Sequence, residues 1–286
     1  MNLKALPSLS QVIKDHGLLV QKKFSKSLGQ NFLLDTNITD RIVQIAGPLD
    51  KCDVIEIGPG PGGLTRSILH HNPHHVYAIE RDRNCVAALQ SLVQISQNRL
   101  SVLQEDALKI SLSHITLLPI KIIANLPYNV GTLLLVGWLK NLQGIQSLTL
   151  MFQREVALRI IAEPGSSDYG RLSVICQYMC EGERIFDLPP QAFIPAPKVF
   201  SSVVHLQPKL LSEEQKSLFP WLEKVTAAAF GQRRKMIRAS LKPLFGEENL
   251  EKILGTLNLQ PTLRPENLTV SNYSALASFY RDLSLR

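Results

Sequence analysis

The stretch Asn125-Leu126-Pro127-Tyr128 combines residue types that suit recognition of a planar substrate bearing an amino group. Asn125 offers an amide oxygen, Pro127 holds the chain extended and removes one backbone donor, and Tyr128 presents a flat aromatic face. The plainer reading is a strand-ending turn with a tyrosine packed beneath it, so the flanking elements decide between the two. Immediately upstream, Ile120 to Ala124 is short, β-branched and bounded by turn formers, and it reads as a buried strand that delivers the tetrapeptide into a loop.

Three further strands precede that one, and each ends on chemistry. Asp53-Val54-Ile55-Glu56-Ile57 runs into Gly58-Pro59-Gly60-Pro61-Gly62-Gly63 before an amphipathic run from Leu64 to Leu69. Val76 to Ile79 ends at Glu80, followed by a helix carrying Val86, Leu89, Leu92 and Val93. Leu100 to Leu103 leads to Glu105-Asp106. Gly58, Gly60 and Gly63 satisfy G-x-G-x-x-G, with Glu80 where a dinucleotide fingerprint places its ribose acid, which would allow a nicotinamide enzyme. Against that, Pro59 and Pro61 remove donors a pyrophosphate would use, and Asp106 adds a third acid. Acids after three consecutive strands suit a ligand without phosphates. Glu56 and the glycine turn can receive an amino-acid moiety, Glu80 the ribose hydroxyls and Asp106 an adenine amine, and S-adenosylmethionine has all of these parts.

Strands alternating with helices imply a mostly parallel sheet in an α/β domain. Ahead of it, Asp35 and Thr36 are candidate caps for a helix with Ile38, Ile42, Val43 and Ile45. Beyond it come a strand at Leu148 to Phe152, a helix from Arg154 to Ala162, and β-type segments at Leu172 to Met179 and Val199 to Leu206. The last two read as a hairpin-type extension joined by the proline-rich Leu188 to Lys198. After Pro208 no strand pattern remains, and Glu213 to Arg286 reads as a small all-α domain. The expected division is therefore 1–207 and 208–286.

The 286 residues are 45% hydrophobic and 19% charged, a globular balance. There is no run of 18 apolar residues and no signal-peptide core at the start, so a cytoplasmic protein without a membrane partner is expected. Four cysteines without C-x-x-C spacing are expected to be reduced and structural. His70, His71, His74 and His75 flank Asn72-Pro73 and no carboxylate is expected to accompany them, so a solvated turn is expected and a metal site is not. The net charge of +7 is uneven: residues 1–30 and 208–286 each carry a net +4, and the 177 residues between them a net −1. Basic ends around a near-neutral body suit a polyanion-binding protein with a small-molecule site in its middle. Lys26 and the run Gln232-Arg233-Arg234-Lys235 with Arg238 are the candidate phosphate contacts, against a reading as a solvated helix face.

Taken in order, Gly29–Leu33, Glu56–Gly60, Ile79-Glu80, Asp106-Ala107, Asn125–Tyr128, Tyr169–Ser173, Phe193–Ser201 and Phe230–Lys235 resemble the motifs of the ribosomal RNA adenine dimethyltransferase family over residues 24 to about 280. The resemblance implies a Rossmann-like class I methyltransferase domain with a helical C-terminal domain. The implied activity is S-adenosylmethionine-dependent dimethylation of two adjacent adenosines near the 3′ end of small-subunit RNA, in a pre-30S particle late in ribosome assembly, by a monomer. It implies cofactor contacts at Asn31, Leu33, Gly58, Glu80, Asp106 and Asn125. It also implies a catalytic Asn125–Tyr128 loop, with Tyr128 and Phe193 sandwiching the base. One departure is Asn129-Val130-Gly131, where members often carry Asn-Ile-Ser. Two alternatives share these motifs: a large-subunit RNA adenine methyltransferase conferring drug resistance, and a non-catalytic RNA-binding assembly or transcription factor. Replacing Arg234 and Lys235 together by alanine is expected to weaken RNA binding and to make the slope of log affinity against log salt shallower by roughly two. An unaltered slope would restore the solvated-face reading.

Overall fold

The computed structural model describes residues 6–19, 31–232 and 234–285; Lys26 and Arg233 lie outside them. The chain divides into two compact units, one holding the residues up to Ala157 with Glu183–Pro208, the other Leu158–Gly182 with Lys209–Arg286. No helix among the described residues is long and apolar enough to cross a membrane.

The first unit opens with α1 (Leu9–Asp15), β1 (Phe32–Leu33) and α2 (Thr36–Ile45), whose N-cap Asp35 accepts a hydrogen bond from the Asn37 amide as its type dictates. A seven-stranded sheet follows, built from β2 (Asp53–Ile57), β3 (His75–Glu80), β4 (Leu100–Gln104), β5 (Ile120–Asn125), β6 (Ile145–Gln153), β7 (Cys180–Leu188) and β9 (Ser201–Pro208). Their order is β4-β3-β2-β5-β6-β9-β7. The pairs β2–β3, β3–β4, β2–β5 and β5–β6 are parallel, and β6–β9 is antiparallel. Parallel pairing requires crossovers, and α3 (Gly63–His70), α4 (Arg83–Ile95) and α5 (Gly131–Leu139) supply helices between the strands. β2 is buried at all five positions, as a strand covered on both faces must be. The chain steps outward from β2 to β4 and then returns to β5 beside β2, so the ends of β2 and β5 diverge at a topological switch point where such sheets bind ligands.

The strands are also tied at their starts. Asp53, 2% exposed, hydrogen-bonds His74 Nδ1 at 2.7 Å and accepts from Thr116 Oγ1 at 2.6 Å, and His75 Nε2 meets Ser101 Oγ at 2.9 Å. A carboxylate thus does accompany His74, contrary to the sequence expectation, because parallel pairing sets Asp53 beside His75. All four cysteines are buried, and none forms a disulfide among the described residues.

A two-residue ribbon pairs β1 with β8 (Phe193–Ile194), setting Leu33 opposite Phe193. Gly60 and Gly63 pack on this ribbon where no side chain would fit. A Cβ on Gly60, whose φ is +56°, would meet the Phe32 ring at 2.8 Å, and one on Gly63 would collide with the Leu33 carbonyl oxygen.

In the second unit, α7 (Arg171–Met179) packs with α9 (Phe219–Phe230) and α12 (Val270–Ser284), alongside α8 (Glu213–Ser217), α10 (Ile237–Phe245) and α11 (Glu247–Thr256). α6 (Arg154–Ile161) runs across the division between the two units. Tyr169, Phe230 and Tyr273 form an aromatic chain in its core, with centroids 6.2 and 5.6 Å apart, and Tyr273 donates to the Pro265 carbonyl at 2.8 Å. The expected strand at Leu172 to Met179 is therefore a helix, and the strand begins at Cys180. Seven of the nine residues of α7 are buried, so burial all round erased the helical period, while Ser173 Oγ accepts from the Gly170 amide and starts the helix. The compact units divide after Pro208, and 158–182 belongs with the helical unit, where α7 packs.

Since both atoms of the Gly63–Leu33 approach belong to the backbone or its first substituent, no rotamer change relieves it. Gly63→Ala is expected to destabilise the protein by about 1–3 kcal/mol, read as a lower urea midpoint. An unchanged midpoint would mean that the β1–β8 ribbon gives way freely.

Candidate active site

Around the ends of β2, β3, β4 and β5 lies an open cleft. Nine expected residues line it: Asn31, Leu33, Gly58, Glu80, Asp106, Asn125, Leu126, Pro127 and Tyr128. The switch point brings them together from separate segments between Asn31 and Tyr128.

The cleft has one wall of acids. Glu80, 5% exposed, accepts from the Gly60 amide through Oε2 at 3.1 Å and from the Asp82 amide through Oε1 at 2.8 Å. Burial raises its carboxyl, and those two amides only partly offset the rise. Two backbone donors fix the side chain while each oxygen keeps a second lone pair for a diol. Asp106 accepts from the Leu108 amide at 3.1 Å and sits 4.0 Å from Arg81. Glu56 is 1% exposed with Oε2 unpartnered, and burial pushes its carboxyl up to about 8, the Glu80 carboxylate adding to the rise. A buried acid with a free oxygen at a cleft wall is a receptor for a positively charged ligand.

Facing the acids is the loop after β5. Asn125 Nδ2 donates to the Asn31 carbonyl at 2.9 Å, which determines the amide orientation because a carbonyl can only accept. Oδ1 is thereby the end left for a ligand. Pro127 carbonyl accepts from the amides of Val130 and Gly131 at 3.1 and 2.9 Å, closing the turn. Gly131, at the departure from the family pattern, lies where a Cβ would meet Leu126 and Phe152 at 3.3 Å, so the glycine lets α5 start close to the loop. The Tyr128 hydroxyl bonds Ser201 Oγ at 2.5 Å; burial raises its phenol against that hydrogen bond, so it is a neutral anchor rather than a base.

Phe193 does not line the cleft. At 2% exposure it belongs to the core beneath Leu33, because the β1–β8 pairing draws it inward. Sequence reasoning missed Phe32, which packs on Gly60, and Ser201, which anchors Tyr128; both contacts join distant segments and leave no local pattern. Arg234, Lys235 and Arg238 are exposed, the first two in the turn between α9 and α10 rather than on a helix face. They have no carboxylate within ion-pair distance among the described residues. Among those residues no group of three or more His, Cys, Asp or Glu could hold a metal.

A sequence model of the ribosomal RNA adenine dimethylase family matches residues 21–282. A protein named ribosomal RNA small subunit methyltransferase A from Rhizobium meliloti (strain 1021) is 51% identical over 282 residues, covering 96% of this chain and 98% of its own. The protein of the same name from Rhodospirillum rubrum is 48% identical over 276 residues, covering 95% and 92%. Among solved structures, a dimethyladenosine transferase from Plasmodium falciparum aligns with a TM-score of 0.76 at 24% identity over 87% of this chain and 98% of that one. The 23S rRNA methyltransferase ErmE aligns at 0.66 and 23% over 88% and 100%. At such identities the solved structures speak for the fold alone, a Rossmann-like α/β methyltransferase fold with a helical C-terminal region.

An acid whose folded pKa lies above its unfolded value near 4.3 binds more protons when folded, so stability falls as pH rises from about 4.3 toward 8. Glu56→Gln is therefore expected to melt close to the parent protein at pH 5 and about 2–4 °C or more above it at pH 8.5. Melting differences that stay parallel across this range would show Glu56 ionised in the ligand-free protein.

Proposed function

Because the chain belongs to the ribosomal RNA adenine dimethylase family, we propose that it dimethylates the exocyclic amines of adenines in small-subunit ribosomal RNA, with S-adenosylmethionine as methyl donor. The shared name of the curated relatives supports the small-subunit reading over the large-subunit alternative. We extend it to two adjacent adenosines near the 3′ end, in a pre-30S particle, methylated by a cytoplasmic monomer. The observation that carries the reading is the carboxamide of Asn125, held by Asn31 with its oxygen left for substrate, in the same cleft as the buried acids.

The residues fit S-adenosylmethionine. Glu56 is a buried acid with Oε2 unpartnered, Glu80 is fixed by two amides, and the glycine loop has positive φ at Gly58, Gly60 and Gly62. Glu80 would hold the ribose hydroxyls, Asp106 the adenine amine, and Glu56 with the glycine turn the amino-acid end. When bound, the cofactor supplies an electrophilic methyl group carried on sulfur.

An adenine amine is a weak nucleophile because its lone pair is delocalised into the ring. Asn125 Oδ1 and the Leu126 carbonyl accept hydrogen bonds from its two N–H groups, which favours a tetrahedral nitrogen with a localised lone pair. No base is needed before attack, and the proton leaves afterwards to water. Tyr128 provides a stacking face that offsets the cost of unstacking the base, a contact worth roughly 1–3 kcal/mol. Preorganisation therefore contributes most of the rate.

Single-turnover methylation of small-subunit particles at saturating cofactor separates these roles. Asn125→Ala is expected to lower turnover about 10²–10³-fold, as loss of a preorganised polar contact does elsewhere, with a far smaller effect on RNA binding. Tyr128→Phe keeps the ring and loses the Ser201 bond, costing about 1 kcal/mol; Tyr128→Ala also loses the stacking face. Full activity of Asn125→Ala would refute the amine-acceptor mechanism, and equal loss in both tyrosine variants would assign the hydroxyl a chemical role.

A further inference from the structure

From the end of β8 to the start of β9 the first unit exposes three large apolar side chains, Ile194, Val199 and Phe200, at 41, 43 and 47%. Phe200 is the only aromatic among the exposed large apolar side chains of the described residues. Its carbonyl accepts from the Arg154 amide at 2.9 Å, and the next residue, Ser201, holds the Tyr128 hydroxyl.

Beside it stands a built ionic cluster. Asp187 Oδ2 lies 3.2 Å from Arg154 Nε, and Asp187 Oδ1 accepts from Arg184 Nη1 and Ser202 Oγ, both at 2.6 Å. Burial alone would raise the Asp187 carboxyl, but the Ser202 hydroxyl and the two guanidinium groups outweigh it and hold it below the usual range. The arginine side chains are 51 and 32% exposed, and each keeps N–H donors on nitrogens that Asp187 does not engage. Exposed Lys198 adds a third cation nearby in the chain. Ser201 and Ser202 leave β9 on opposite faces, one bonding Tyr128 and the other Asp187, so the start of this strand joins the cluster to the base site.

We propose that Phe200 and the Arg154–Asp187–Arg184 cluster seat the nucleotide next to the target adenosine, its base stacked on Phe200 and its phosphate held by the two guanidinium groups. The proposal rests on the RNA-methylating reading above and names the part of the RNA this surface takes. Three exposed apolar side chains are too small a patch for a stable protein interface, which needs about 800 Å² per partner. An aromatic face beside oriented arginines is the combination that binds single-stranded nucleic acid without base preference. Holding the neighbour here also keeps the RNA from slipping while the target base is out of its stack.

The test is single-turnover methylation of small-subunit particles from cells lacking this enzyme, titrated against the parent protein, Phe200→Ala, Phe200→Tyr and Arg184→Gln. Phe200→Ala is expected to raise the half-saturating particle concentration about tenfold, well beyond any change in rate at saturation, and Phe200→Tyr to restore it. Arg184→Gln is expected to raise it too and to reduce the salt slope of particle binding by about one. Calorimetric binding of S-adenosylmethionine checks that each variant is folded. With the parent protein active, a half-saturation within twofold of the parent for either Phe200→Ala or Arg184→Gln overturns the proposal. An inactive parent protein would instead overturn the functional reading beneath it.

Discussion

A carboxamide has one donating end and one accepting end, and the arrangement of this site depends on the donating end of Asn125 being committed to the Asn31 carbonyl. The bond joins residues 94 positions apart, so it exists only when β5 and the segment leading into β1 are both in place. Asn31 is placed by the β1–β8 ribbon, and the ribbon is placed by glycines whose missing side chains admit Phe32 and Leu33. The loop suited to a nucleoside ligand is thus also the mould for the segment that orients Asn125. At the other end of the tetrapeptide, Ser201 fixes Tyr128 from β9. Two anchors from distant strands convert a short loop into a rigid surface.

The electrostatics follow the same division of labour. Glu80 is satisfied by backbone amides and can stay in place without a ligand, whereas Glu56 is buried with an oxygen unpartnered. An acid in that state lowers the stability of the ligand-free protein at neutral pH and regains interaction when a cation arrives. The acids are set in the crevice between diverging strands, where a cationic ligand would meet them.

Much of this was legible in the residues because local chemistry and fold agree there. β2, the glycine loop and α3 follow one another in sequence, Asp35 caps a helix through its own side chain, and the acids at or just past the ends of β2, β3 and β4 converge because parallel strands end together. Legibility failed where tertiary packing overrode a local pattern. Leu172 to Met179 is apolar nearly all round, so only its cap distinguishes a helix from a strand. Phe193 sits in a motif segment yet turns inward, since a two-residue pairing with Leu33 decides its face. His74 found a carboxylate only because β2 and β3 start side by side. The Ser201–Tyr128 anchor and the Phe32–Gly60 approach carry no periodicity and required the coordinates.

The central claim, that this cleft dimethylates small-subunit RNA through an Asn125 oriented by Asn31, meets its most direct test in cells. Mass mapping of the 3′ region of small-subunit ribosomal RNA would compare a strain lacking this protein with strains complemented by the parent chain or by Asn125→Ala. The account predicts two adjacent unmodified adenines in the deletion strain, dimethylation restored by the parent chain, and none or only traces with Asn125→Ala at equal protein level. Dimethylated adenines persisting in the deletion strain, or full restoration by Asn125→Ala, would contradict it.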